Sequence, residues 1–153
     1  MKSELYLETS VINYLFADHL PLEKKITERL FDSINRGENE GYISDLVIDE
    51  VLAAPEPKRT QLAEIVFGGT LHNLKVTEKT EKLAYQYIKA GAMTEKHKND
   101  ASHIAIATAN NIEAIVSRNM DQIVRLSTKE VVDKVNEKLG YKPIYICTPR
   151  EVI

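Results

Sequence analysis

The chain has 153 residues, the length of one ordinary domain with a single hydrophobic core. Hydrophobic residues make up 43% and charged residues 28%, which excludes a disordered or collagen-like chain. The net charge of -3 excludes grip on nucleic acid by bulk positive charge, so any such role must come from a local site. The longest stretch free of formal charge, 101–112, is too short for a membrane span of about 20 residues. Glu4 and Glu8 interrupt the first ten residues, so no signal peptide is expected there. The single cysteine, Cys147, cannot form an internal disulfide and fits a cytoplasmic protein.

In chain order, Leu5-Tyr6-Leu7 reads as a strand and 9–17 as a helix. Residues 22–36 form an amphipathic helix with Ile26, Leu30, Phe31 and Ile34 on one face, stopped by Gly37. Tyr42-Ile43-Ser44 is a strand, followed by a helix capped by Asp45 that carries 46–54 and ends at Pro55. A helix over 58–67, a strand over 71–76 and a helix over 78–90 follow, and 93–98 is the least structured interior stretch. Residues 99–110 form a helix whose apolar residues nearly encircle it, a sign of burial on most sides. A strand at 114–117, a short helix at 120–126, a helix at 128–139 and a strand at 144–147 complete the chain. Short strands separated by helices predict an α/β protein, a helix-covered parallel sheet.

Sites in open parallel sheets form outside the carboxyl ends of the strands. Glu8 stands at the end of the first predicted strand, and Asn119 and Asp121 lie just past the fourth. Glu50 lies on the helix after the second strand, and Asp100 opens the buried helix before the fourth. Acids from such distant places repel one another unless a cation joins them, and hard divalent ions take oxygen ligands. Mg²⁺ or Mn²⁺ there would polarise a phosphodiester and activate water.

Each acid also has a plainer role. Glu8 could cap the helix that starts at Thr9, Glu50 could reach solvent at a rim, and Asp100 could serve only as first-turn electrostatics. Asp49 reads as the solvated neighbour of Glu50. His103, one turn after Asp100, reads as a satisfied core histidine, and His97 as part of a solvated basic loop. Cys147 reads as core within an inner strand. Ser10 lacks a triad, and the chain has neither a phosphate-cradling glycine loop nor a zinc spacing.

These residues resemble the PIN-domain family of metal-dependent ribonucleases. The similarity runs through YLETSVINYL, ISDLVIDEVL, NDASHIAIA and IVSRNMDQI, while IYICTPREVI resembles the closing strand of VapC-like toxin members. The resemblance implies a three-layer α/β/α fold, one PIN-like domain over 1–153, with sheet order 3-2-1-4-5. It implies an endoribonuclease, the toxin of a toxin–antitoxin pair, with RNA as substrate, an antitoxin as partner, a homodimer and Mg²⁺ or Mn²⁺ as cofactor. Glu8, Glu50, Asp100 and Asn119 fall on the family's metal ligands, and Asp121 matches a further acid. Thr9 and Ser10 would orient water or phosphate, Asn13 would brace the first acid, and Lys98 and Arg118, with Lys96 and His97, would guide the RNA backbone. The sequence adds to the dimer only an apolar surplus on the helices around 22–34 and 58–67.

Two departures stand out. The family's usual first Asp is Glu8, which moves the carboxylate by about 1.5 Å. The fourth acid is Asn119, which removes one negative charge. The alternative readings are a catalytically weak PIN-like module that binds RNA or protein, and another magnesium-dependent α/β protein. A phosphatase would need an Asp with a second Asp two residues on, and a receiver a phosphorylatable Asp, where this chain has Glu8 and Ser10.

Overall fold

The apolar triplet Leu5-Tyr6-Leu7 forms the middle of the protein, and the sheet is assembled around it. The structure, a computed structural model, describes residues 2–153. Strand β1 (Ser3–Leu7) pairs in parallel with β2 (Asn39–Ser44) on one side and β4 (Ala114–Val116) on the other. β3 (His72–Leu74) joins β2, and β5 (Tyr145–Cys147) joins β4, also in parallel. The order β3-β2-β1-β4-β5 is the expected one. Side chains alternate across a strand, so Leu5 and Leu7 enter one layer and Tyr6 the other. All three are buried, as a central strand covered on both faces requires.

Seven helices accompany the sheet among the described residues: α1 (Thr9–Asn13), α2 (Pro21–Asn35), α3 (Asp45–Leu52), α4 (Lys58–Val66), α5 (Glu78–Lys89), α6 (Lys98–Ala109) and α7 (Leu126–Leu139). Helix α6 lies on the Tyr6 face, since Tyr6 bonds His103. As its composition predicts, every residue from Ala101 to Thr108 is buried. Full burial of Ile104 and Ile106 contributes about 1.5–3 kcal/mol each. Helix α2 closes against the other face at Gly41. A Cβ there would lie 2.7 Å from Leu71 Cδ2 and 3.0 Å from Ile34 Cδ1, so a side chain would force both of these to repack. No described helix is long and apolar enough to cross a membrane.

Several local expectations are corrected. Ser44, not Asp45, is the N-cap of α3: its hydroxyl accepts the Val47 N–H at 3.3 Å, and Asp45 is the first helical residue. The expected helix at 120–126 is a turn. The Asn119 side-chain carbonyl accepts the Gln122 N–H, and its backbone carbonyl accepts from Ile123 and Val124, so the chain closes on Asn119 before α7 starts at Leu126. The stretch 93–98 is more ordered than expected, because buried Met93 anchors it and Glu95–His97 forms a 3-10 turn. Cys147 is buried core but lies on the edge strand β5 rather than on an inner one. β3 is shorter than 71–76, and the first helix is α1 followed by a 3-10 turn over Tyr14–Phe16.

Candidate metal centre

Parallel pairing of β1, β2 and β4 brings their carboxyl ends to one edge, where each strand hands the chain to a polar segment. Glu8 follows β1 and, as one of its plain readings held, caps α1: its Oε2 accepts the Ser10 N–H at 3.0 Å. Its Oε1 accepts the hydroxyls of Ser10 and Ser117, each at 2.6 Å. Glu8 is buried, and two serines from opposite ends of the sequence fix its carboxylate. The second strand delivers Ser44 and then α3, which carries Glu50 to the same place. Glu50 Oε1 accepts from Thr9 Oγ1 at 2.7 Å and from His103 Nε2 at 2.6 Å. Glu8, Glu50 and His103 each offer a ligand atom within 4.8 Å of the others.

The electrostatics follow from burial and crowding. Burial opposes ionisation of Glu50, but the hydrogen bond and charge of His103, with the Thr9 hydroxyl, outweigh it and hold the carboxyl below its ordinary value. Burial alone would push His103 down; the Glu50 hydrogen bond and the charges of Glu8, Glu50 and Asp100 reverse this and raise it. Asp100 moves up, first because it is half-buried and then because Glu8 repels its charge. Among the described residues no lysine or arginine pairs with Glu8 or Glu50. A buried and a half-buried carboxylate whose basic neighbour is a histidine rather than a lysine or arginine, with oxygen donors on several sides, suit a hard divalent cation. A cavity of about 940 Å³ lies between α5 and α7, and none of these residues lines it.

The profile of the PIN domain family matches residues 5–127, the greater part of the chain. The chain belongs to the PIN domain family. No curated protein matches this PIN domain. Among solved structures, it is similar to Mycobacterium tuberculosis VapC20, a Sarcin-Ricin loop cleaving toxin, at TM-score 0.60 and 16% identity, over 92% of this chain and 98% of that one. It is also similar to VapBC2 from Rickettsia felis, bound to a DNA fragment from their promoter, at TM-score 0.57 and 14% identity, over 93% and 96% of the two chains. FitAB bound to an IR36 DNA fragment gives TM-score 0.58 and 14% identity over 95% of each. At these identities the likeness is one of fold.

The other residues singled out in the PIN domain sequence are distributed unequally around the centre. Asp100 stands at the start of α6, with His97 Nδ1 3.5 Å from its Oδ2, so His97 is less solvated than its loop suggested. Thr9 and Ser10 bond to the acids themselves. Asn119 is tied through its N–H to Ser117 Oγ at 2.9 Å, while its side-chain carbonyl closes the local turn. Asp121 lies exposed on that turn. Asn13 is half-buried on α1 and is joined to the first acid by no side-chain hydrogen bond among the described residues. Lys98 pairs with Glu81 at 3.3 Å. Arg118 is drawn away from solvent: it pairs with Glu23 and lies 4.6 Å over the Tyr14 ring, with its Nε buried and unpartnered. Three contributors escaped the sequence: Ser117, Tyr6 and the bond from His103 to Glu50. Ser117, directly past β4, was open to discovery by position alone, as Asn119 was.

Proposed function

We propose that this PIN domain is a metal-dependent endoribonuclease and the toxin of a toxin–antitoxin pair in the cytoplasm. The observation that carries the reading is the convergence of Glu8 and Glu50, from separate strand ends, within 4.8 Å and without a lysine or arginine between them. Asp100 faces the same field, since the Glu8 charge raises its carboxyl. Glu8, Glu50 and Asp100 would hold Mg²⁺ or Mn²⁺, with Asn119 or Asp121 completing the set. The ion, when bound, supplies positive charge to the scissile phosphodiester and lowers the pKa of water beside it.

The chain's own residues do the rest. Ser10 and Ser117 hold the Glu8 carboxylate in one orientation, so the extra methylene relative to aspartate brings no extra freedom. Thr9 does the same for Glu50. The exposed Lys96 and Lys98, beside the start of α6, offer positive charge to an RNA backbone in a chain whose net charge is negative. The toxin role and an antitoxin partner follow the neighbour named as a toxin. A homodimer is proposed with them, through the exposed Leu22 and Phe67 of α2 and the end of α4.

End-labelled RNA incubated with the purified protein tests the reading. Cleavage should require Mg²⁺ or Mn²⁺, stop with EDTA and vanish in Asp100→Asn, and Mn²⁺ should exceed Mg²⁺ at equal low concentration, because a mixed, less charged ligand set suits it better. A folded protein that binds RNA but leaves it intact with either ion would make it a binding module instead.

A further inference from the structure

His103 is the buried residue that the nuclease reading leaves without a role, and its surroundings assign one. Its side chain is 1% exposed, and both ring nitrogens are engaged. Nδ1 lies 2.7 Å from the Tyr6 hydroxyl, and that hydroxyl lies 2.7 Å from Ser44 Oγ. Nε2 lies 2.6 Å from Glu50 Oε1. A carboxylate oxygen can only accept, so Nε2 is the donor whichever way the two hydroxyl protons run.

Ser44 ties this row to the backbone. The same hydroxyl that meets Tyr6 accepts the Val47 N–H and starts α3, the helix on which Glu50 rides. Glu50 is therefore fixed at two levels from one buried point: its helix through Ser44, and its side chain through His103. A glutamate has three rotatable bonds, and orienting one without such support costs side-chain entropy at every binding event. The two bonds to Glu50 both fall on Oε1, from Thr9 and His103, and among the described residues none falls on Oε2.

We infer that His103 is a positioning residue, held by Tyr6 and Ser44, that grips Glu50 by Oε1 and leaves Oε2 directed to the divalent cation. The inference rests on the metal-centre reading above. It separates His103 from the ligands, although one of its ring nitrogens lies within 4.8 Å of a carboxylate oxygen of each acid. Partners of this kind around metal-binding carboxylates change affinity by about 10- to 100-fold when removed.

Mn²⁺ affinity, read from the electron paramagnetic resonance of the free ion, tests this with no need for RNA cleavage. His103→Leu should weaken binding about 10-fold or more, and Tyr6→Phe, which keeps the ring and deletes the hydroxyl, should weaken it by about 3-fold. His103→Gln, whose amide nitrogen can still donate to Glu50, should recover most of the loss. Pulsed spectra of the bound ion should show no directly coordinated ¹⁴N. Melting curves identify variants that fold; if His103→Leu does not, Tyr6→Phe and His103→Gln decide. Strong ¹⁴N coupling would make His103 a ligand and overturn the inference. Parent affinity in folded Tyr6→Phe and His103→Leu would also overturn it, reducing the row to core packing while leaving the metal centre intact. A parent protein that binds no Mn²⁺ removes the metal-centre reading itself, and this inference with it.

Discussion

Asp100 and Glu50 respond to the same crowded edge in opposite directions. Burial and the Glu8 charge make the folded protein hold the Asp100 proton more tightly than an ordinary aspartate does. That contribution favours the fold in acid and is lost as pH rises from about the ordinary value of 3.8 through the folded one. Without metal, Asp100→Asn should therefore melt at or above the parent near neutrality, with the difference shrinking as pH falls. Melting curves across pH check this, and a variant less stable at neutrality would mean that the Asp100 carboxylate is already compensated. Glu50 is lowered, so its share of stability is present above the ordinary value of 4.5 and disappears as pH drops through the folded value. On β5, burial pushes the Cys147 thiol up to about 11. Ellman's reagent should leave the native protein almost untouched at mildly alkaline pH and react fully after unfolding in guanidinium. At this scale the sequence pointed to Glu50, because a carboxylate on an apolar helix face stands out, and the fold brings it beside Glu8. It concealed Tyr6 and Ser44, since a tyrosine within a strand reads as ordinary core and Ser44 reads as the last strand residue ahead of an Asp45 cap.

Among the elements, α3 is short and carries the heaviest duty. Its N-cap hydroxyl also meets Tyr6, so Ser44→Ala removes a cap and leaves a buried phenol short of a partner. Urea denaturation should show a loss of about 1–2 kcal/mol. An unchanged midpoint would mean that Asp45 or water replaces the cap. The elements were legible where periodicity ran long: α2, α5, α6 and α7 lie within a few residues of expectation. They were illegible where a single side chain overrode the pattern. Apolar spacing at 120–126 suggested a helix, but the Asn119 carbonyl captures the Gln122 N–H first. β3 is reduced to three residues at the sheet edge, where only β2 supplies hydrogen bonds. Boundaries of this kind are set by tertiary partners rather than by local preference.

For the molecule as a whole, the proposed centre would link metal to stability, because Glu8 and Glu50 lie far apart in sequence and meet only when folded. At 100-fold excess over its dissociation constant, Mn²⁺ should add about 2.7 kcal/mol. For a domain of this size that raises the melting temperature by roughly 5–10 °C. Glu50→Gln should abolish most of the rise, and an equal rise in that variant would place the ion elsewhere. The sheet order has a consequence for the time course of synthesis. Glu8 precedes the serine that clasps it by 109 residues, and that serine lies beyond the strand that closes the other side of β1. At roughly 5–20 residues per second, translation separates the two by about 5 to 20 s. Throughout that interval the emerging polypeptide holds Glu8 without the second half of its clasp, which arrives only with the fourth strand.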